Sequence, residues 1–216
     1  MSDAVDLSKL YEAILTGDAK TSVEVTEAAL AAGEDPQKLV MEHMVSAMDE
    51  VGRRFECNQY FVPELLIAAR AMKSSLDIIR PLLAERGIEP VGRVVVGTVK
   101  GDLHDIGKGL VASMLEGGGF EVIDLGVDVS AEKFVEEAEA NNAHIIALSA
   151  LLTTTMTAMK TVIEKLTEAG VREKHKVIIG GAPVTQEFAD SIAADGYSPS
   201  AAGAVNLARE MTGAGS

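Results

Sequence analysis

Residues 93–116 read RVVVGTVKGDLHDIGKGLVASMLE, and this stretch decides the fold. The apolar, β-branched run 93–99 predicts a buried parallel strand, and residues 108–116 predict the helix that follows it. Between them, a loop flanked by glycines sets His104 between two aspartates. Because open α/β sheets bind their ligands at the carboxyl ends of the strands, we expect a binding site at this loop.

The chain after Pro90 repeats this alternation of strand and helix. Strands are predicted at 93–98, 121–125, 144–149, 176–180 and, more weakly, around Tyr197; helices are predicted at 107–117, 131–141, 154–169, 185–194 and 200–211. Such alternation is typical of an α/β fold with a doubly wound, Rossmann-like (flavodoxin-like) parallel sheet of five strands.

The chain before Pro90 has only helical patterns. Helices are predicted at 7–16, 20–32, 36–55 and 63–86, with glycines as stops and prolines in first turns. Four such helices predict a bundle, and Pro81 is expected to kink or interrupt the last one. We therefore expect a helical domain over 1–88 and an α/β domain over 89–216.

Composition narrows the class of protein. The formal net charge of −14 repels phosphate backbones, so nucleic acid is not an expected partner. No stretch approaches the roughly eighteen uninterrupted apolar residues of a membrane span, and the first residues lack a secretory pattern. Cys57 is the single cysteine, which excludes an internal disulfide. A cytoplasmic protein without a membrane partner is expected.

Two phosphate-binding patterns compete for the loop around His104. A P-loop requires four residues between its first glycine and the Gly-Lys pair, whereas five lie between Gly101 and Gly107. Residues 107–112 fit a loose dinucleotide fingerprint, with Asp124 as the acid that would bind a ribose. That fingerprint should begin directly after the strand, and it leaves the cluster of Asp102, His104 and Asp105 unexplained.

A third pattern accounts for that cluster. It is Asp-x-His-x-x-Gly at 102–107, then Ser-x-Leu at 149–151, then Gly-Gly at 180–181. The intervening segments are 108–148 (41 residues) and 152–179 (28 residues), and each motif follows a predicted strand. With these motifs the chain resembles the cobalamin-binding domains of corrinoid-dependent methyltransferases and mutases, and the resemblance covers nearly the whole chain.

The resemblance implies roles for the residues near the loop. His104 would be the lower axial ligand of the cobalt, in place of the cofactor's own base. Asp102 would accept a hydrogen bond from the other ring nitrogen and fix the tautomer, and Thr155 would end this relay. The residues implied to receive the displaced nucleotide tail are Gly107, Ser149, Thr153, Gly180 and Gly181, and Leu151 is implied to bind the cofactor as well.

The helical half also resembles this family, in which a helical cap covers the upper face of the corrin. Residues 52–56 and 60–64 resemble the cap's signature before its last helix. In the family's methionine synthases two apolar cap residues shield the cobalt-bound methyl group, and Phe55 and Val62 align with them. Val62 stands where leucine is commoner.

The implied function is that of a free-standing corrinoid carrier protein. The chain would take a methyl group on cobalt from a substrate-specific methyltransferase, whose donor is a methylated amine, a quaternary amine, methanol or a methoxylated aromatic. A second methyltransferase would remove the methyl group, and a reductive activating protein would be a third partner. Two alternatives remain: a regulator that senses cobalamin, and a flavodoxin-like or nucleotide-binding domain without a corrinoid.

Overall fold

The computed structural model describes residues 5–214, and the chain forms two compact units. The first unit is the chain up to Pro90 together with Glu116–Gly119. The second is Val91–Leu115 together with the chain from Phe120 onward.

The first unit is helical. Its elements are α1 (Ser8–Thr16), α2 (Ala19–Ala31), α3 (Pro36–Lys38), a π-helical segment (Leu39–Val45), α4 (Ser46–Glu56) and α5 (Val62–Glu85). Its core is mostly apolar. Among the described residues its buried polar side chains are Ser22 and Thr26 of α2 and Ser75 of α5, and the hydroxyls of Ser22 and Ser75 form a hydrogen bond. The predicted helical bundle is confirmed.

Residues 36–55, predicted as one regular helix, contain the π-helical segment. The buried residues of this segment are Leu39, Val40, Met44 and Val45, so burial repeats after five positions. A π-helix closes its hydrogen bonds between residues five apart, which stacks Leu39 over Met44 on the same face. The wider turn therefore keeps all four side chains in the core. With regular α-helical spacing, one of the two pairs, Leu39 and Val40 or Met44 and Val45, would point away from the core.

Helix α5 continues through Pro81, so the expected interruption of the helix at this residue does not occur. A proline in a helix removes the hydrogen bond to the carbonyl four residues earlier, here that of Asp77. Both Pro81 and Asp77 lie on the exposed side, so water can satisfy this carbonyl. The proline also stands only four residues before the helix ends at Glu85.

The second unit is the predicted α/β domain. Its strands are β1 (Arg93–Thr98), β2 (Glu121–Asp124), β3 (Ile145–Ser149), β4 (Lys176–Gly180) and β5 (Gly196–Tyr197), and its helices are α6 (Ile106–Gly117), α7 (Ala131–Ala140), α8 (Thr157–Glu168), α9 (Gln186–Ser191) and α10 (Ala201–Thr212), with a 3-10 turn at Arg172–Lys174. All strand pairs are parallel, and the order is β2-β1-β3-β4-β5. The prediction of a doubly wound five-stranded sheet is confirmed.

This strand order places the site. The chain moves from β1 to β2 on one side, then returns to add β3, β4 and β5 on the other side of β1. The crevice between the carboxyl ends of β1 and β3 is therefore the switch point, where sheets of this order bind ligands. The two loops that border it are 99–105 and 150–156.

Candidate functional site

The two loops at the switch point are joined by their backbones. The N–H of Val99 donates to the carbonyl of Ser149 at 3.0 Å, which continues the pairing of β1 with β3 beyond the strands. The loop after β1 then turns at Gly101 and brings Asp102 beneath the loop after β3.

Asp102 is the centre of the site. Its side chain is fully buried, and its carboxylate accepts hydrogen bonds from both loops. Oδ1 accepts from the N–H of His104 at 3.1 Å and lies 2.8 Å from Nδ1 of the same residue. Oδ2 accepts from the N–H of Leu151 at 2.7 Å and from the hydroxyl of Thr155 at 2.8 Å. The predicted relay of His104, Asp102 and Thr155 is thus present as a set of contacts.

These contacts fix the charge of Asp102. Burial alone would raise its pKa, but the hydrogen bonds from the N–H groups of Leu151 and His104, the His104 ring and the Thr155 hydroxyl outweigh burial and hold the pKa well below its ordinary range. An ionised carboxylate only accepts hydrogen bonds, so Nδ1 of His104 must be the donor. In the neutral ring this leaves a lone pair on Nε2.

His104 is positioned by its backbone as well as by its ring. The hydroxyl of Thr98, which is buried at the end of β1, donates to the carbonyl of His104 at 2.8 Å. The imidazole itself is 53% exposed, so a ligand can reach Nε2. His104 therefore combines a fixed tautomer with an accessible lone pair, the arrangement that carboxylates behind metal-binding histidines produce.

Large apolar side chains stand exposed on the two loops and at the start of α6. Leu103 is 73% exposed and Ile106 is 85% exposed, on either side of His104 in sequence. Leu151 and Leu152, whose N–H groups point at Asp102, are 41% and 44% exposed. Sequence reasoning identified only Leu151 among them. The signal in the sequence was the presence of two large apolar residues, Leu103 and Ile106, in a loop beside a histidine, which is consistent with a partly apolar ligand.

The predicted glycines fall into two groups. A Cβ at Gly107 would meet nothing within 4 Å, so the first turn of α6 leaves open space beside its backbone. A Cβ at Gly181, where φ is 131°, would lie 1.9 Å from the carbonyl oxygen of Ala150, and one at Gly180 would lie 3.2 Å from that of Ser198. Gly180 and Gly181 therefore allow neighbouring strand ends to approach each other, whereas Gly107 borders a space that a ligand can use.

Ser149 and Thr153, the predicted hydroxyl donors, lie at the end of β3 and in the loop after it. Ser149 is half-buried and Thr153 is exposed. Within residues 5–214 neither hydroxyl takes part in a hydrogen bond. Both are therefore free for a ligand, but their role in binding the nucleotide tail stays a prediction.

Phe55 and Val62, the predicted cap residues, belong to the helical unit. Phe55 is half-buried near the end of α4, and Val62 is exposed at the first position of α5. Their shielding role stays a prediction as well.

Lys108 is a residue of the site that sequence reasoning missed. Its side chain is almost completely buried in the first turn of α6, and Nζ contacts the carboxylates of Asp105 at 2.8 Å and of Asp124 at the end of β2. A lysine at a helix N-terminus is unfavourable by itself, so these two aspartates are needed to neutralise it. The cluster fixes Asp105, the neighbour of His104, to the sheet.

Across residues 5–214, no three His, Cys, Asp or Glu side chains are grouped so that they could hold a metal ion by themselves. In the same described part of the chain, no helix has the length and apolar character needed to cross a membrane.

Comparison with known proteins gives matches over both units. Two family models, each described as a B12 binding domain, match residues 92–206 and 7–80. Trimethylamine corrinoid protein 1 of Methanosarcina acetivorans is 46% identical over 207 residues, covering 95% of this chain and 96% of that protein. The dimethylamine corrinoid protein of Methanosarcina barkeri is 43% identical over 213 residues, covering 98% and 99%.

A solved structure matches the chain over nearly its whole length. The methanol:cobalamin methyltransferase complex MtaBC from Methanosarcina barkeri contains a chain that is 31% identical, with a TM-score of 0.86, and the match covers 99% of this chain and 81% of that chain.

Proposed function

The chain belongs to the family of B12-binding corrinoid proteins, and on that premise we propose that it carries a methyl group on the cobalt of a bound corrinoid between two methyltransferases. The observation that supports this most directly is the accessible Nε2 of His104, whose ring is held by the buried, ionised Asp102. When bound, the corrinoid supplies a metal that accepts and releases the methyl group.

The residues at the switch point fit such a cofactor. His104 would bind the cobalt through Nε2, and Asp102 would keep Nδ1 protonated. The exposed apolar side chains of Leu103, Ile106 and Leu152 would contact the macrocycle and exclude water from the site. Gly107, Ser149, Leu151 and Thr153 would contact the rest of the cofactor. Thr155 would act through Asp102, and Gly180 and Gly181 would contribute by letting the neighbouring strand ends approach each other closely.

The helical unit would serve as a cap. We propose that residues 1–88 form this cap and that Phe55 and Val62 shield the methyl group from water, while residues 89–216 hold the corrinoid. A cap must move aside when a partner reaches the cobalt, so its opening would be part of each transfer.

The proposed methyl donor is a methylated amine. Support comes from relatives at 46% and 43% identity that are named trimethylamine and dimethylamine corrinoid proteins, whereas the methanol system's chain is 31% identical. The partners would be an amine-specific methyltransferase, an acceptor methyltransferase and a reductive activating protein that restores cobalt after oxidation.

The axial ligand can be tested with isotopes. The protein is labelled with nitrogen-15, reconstituted with unlabelled hydroxocobalamin, reduced to paramagnetic Co(II) and measured by electron paramagnetic resonance. An axial nitrogen-15 from the protein splits each cobalt line into a doublet, whereas nitrogen-14 from the vitamin's own base gives a triplet. We expect the doublet, and we expect His104→Ala to abolish it.

His144→Ala is the matched control, because His144 is exposed in the same unit, outside the switch-point loops. It should keep the doublet. A triplet in the wild type would show that the vitamin's base stays on the cobalt and would overturn the proposed ligand. Methyl transfer is then tested with trimethylamine, dimethylamine and methanol methyltransferases; a loaded protein that accepts methyl from none of them would favour a sensor.

A further inference from the structure

Asp128 adopts an unusual backbone conformation beside the loop of His104. It lies between β2 and α7 with a φ of 56°, in the left-handed region that residues other than glycine seldom adopt. Such a conformation persists only where surrounding contacts stabilise it. Asp128 has three such contacts, and all go to the segment 100–102.

The side chain of Asp128 grips the backbone just before Asp102. Oδ1 accepts a hydrogen bond from the N–H of Gly101 at 2.8 Å, and Oδ2 accepts one from Nζ of Lys100 at 3.0 Å. The main-chain N–H of Asp128 then donates to the carbonyl of Asp102 at 2.9 Å. Hydrogen bonds from Gly101 and Lys100 hold the pKa of Asp128 below its ordinary value, so its carboxylate is charged.

Asp102 is therefore held from two sides. The loop after β3 binds its carboxylate through Leu151 and Thr155, while Asp128 binds its main chain from the loop after β2. The pairing of β1 with the β2 side also continues here, because Val99 forms an isolated parallel bridge with Val129. Both sets of hydrogen bonds restrict the orientation of Asp102, since rotating either end of the residue would move Oδ1 relative to His104.

We propose that Asp128 is a positioning residue for the cobalt ligand: by fixing the main chain at Gly101 and Asp102, it keeps Asp102 aligned with Nδ1 of His104 and so strengthens binding of the metal by Nε2. This inference rests on the proposed function for its metal, but the alignment of Asp102 with His104 is a property of the protein alone.

Two substitutions separate the side-chain hydrogen bonds of Asp128 from its backbone conformation. Asp128→Gly keeps the left-handed conformation easily but loses both side-chain contacts. Asp128→Asn also tolerates this conformation and keeps an oxygen for the N–H of Gly101, while losing only the exposed ion pair with Lys100, which contributes little. Asn142→Gly is the matched control, because Asn142 has a φ of 48° in the turn between α7 and β3.

The experiment measures the pH at which half of the nitrogen-15 doublet is lost in the hydroxocobalamin-loaded, Co(II) protein. Protons compete with cobalt for Nε2, so weaker ligation raises this midpoint by one pH unit for each tenfold loss. We expect Asp128→Gly to raise it by about one unit, the effect of losing a charge-assisted hydrogen bond. Asp128→Asn and Asn142→Gly should stay close to the wild type.

A second measurement needs no cofactor. Two-dimensional proton–nitrogen NMR spectra of the cofactor-free protein report which ring nitrogen of His104 carries the proton. The Nδ1–H form should dominate in the wild type and in Asp128→Asn, and should give way to a mixture in Asp128→Gly. An unchanged midpoint and an unchanged tautomer in Asp128→Gly would overturn this inference, whereas absence of a doublet in the wild type would overturn the proposed function instead.

Discussion

The hydroxyl of Thr155 donates to Oδ2 of Asp102 at 2.8 Å, although the two residues follow different strands. The same hydroxyl lies 2.8 Å from the carbonyl of Leu152, but it has one proton, and the charged carboxylate is the stronger acceptor. Thr155 thus closes a chain of contacts that runs from the loop after β3, through Asp102, to the ring of His104.

Thr155→Val should weaken this chain, because it removes the hydroxyl while keeping the shape of the side chain. The buried carboxylate of Asp102 would lose one of its hydrogen-bond donors. We therefore expect the free energy of unfolding to fall by about 1–3 kcal/mol. Thr155→Ser keeps the donor and should behave almost as the wild type does. Urea denaturation of the protein without cofactor measures the difference; a loss of stability in Thr155→Ser but not in Thr155→Val would mean that the methyl group, and not the hydroxyl, matters.

Asp102→Asn should make the free energy of unfolding less dependent on pH in the acid range. The folded state lowers the pKa of Asp102, so its ionised form stabilises the fold fully above the unfolded pKa of about 3.9, and this stabilisation is lost as the pH falls from there toward the lowered value. At pH 7 the variant should be less stable by about 3 kcal/mol, because an amide replaces an acceptor that faces only donors.

The measurement for Asp102→Asn is the free energy of unfolding of both proteins between neutral pH and pH 2.5. The gap between them should narrow only below about pH 4, since other carboxylates titrate equally in both proteins. A constant gap over this range would show that Asp102 is not held ionised by its neighbours.

Local patterns account for what the sequence predicted correctly. The strand, loop and helix around His104 follow from apolar periodicity and glycine spacing within a short stretch. The contact between Asp102 and His104 was implied by the family resemblance, and it lies between residues only two positions apart. Thr155 was identified through family resemblance, because nothing in its own neighbourhood indicates a partner 53 residues away.

Long-range contacts account for what sequence reasoning missed. Lys108 looks like an ordinary surface lysine until the end of β2 brings Asp124 to it. Asp128 looks like a loop aspartate, since its left-handed backbone and its grip on Gly101 depend on the register of β1 and β2. The π-helical segment was hidden for a related reason: only the packed core shows that burial repeats after five residues.

His175 should be important for stability at the other end of the sheet. The residue is 2% exposed, with Nδ1 2.6 Å from the carbonyl of Ala143 and Nε2 2.8 Å from Oε1 of Glu139. The carbonyl of Ala143 can only accept a hydrogen bond, so Nδ1 donates to it. His175→Leu would leave a buried carbonyl without its donor and should cost about 1–3 kcal/mol. His144→Leu should cost far less, because the hydrogen bond that its Nδ1 accepts from the N–H of Arg93 is exposed to water; thermal denaturation compares the two.

Gly107→Ala and Gly181→Ala should have opposite effects on the fold. At Gly181 a Cβ would meet the carbonyl oxygen of Ala150 at 1.9 Å with φ at 131°, so alanine should destabilise the protein by several kcal/mol, on the order of 3 or more. At Gly107 a Cβ meets nothing within 4 Å, and alanine in a helix is favoured over glycine by about 0.5–1 kcal/mol. Gly107→Ala should therefore leave the protein without cofactor as stable as the wild type, or more so.

The same Gly107→Ala protein should bind hydroxocobalamin more weakly, because the added methyl group occupies the space that we propose for the cofactor beside α6. Gly109→Ala is the matched control: it lies in the same helix and also has open space around it, but it stands outside the Asp-x-His-x-x-Gly motif. Equilibrium dialysis measures the affinity of the wild type, Gly107→Ala and Gly109→Ala for hydroxocobalamin. Unaltered affinity in Gly107→Ala would mean that no part of the cofactor approaches this turn, and the tail would have to be placed elsewhere in the α/β unit.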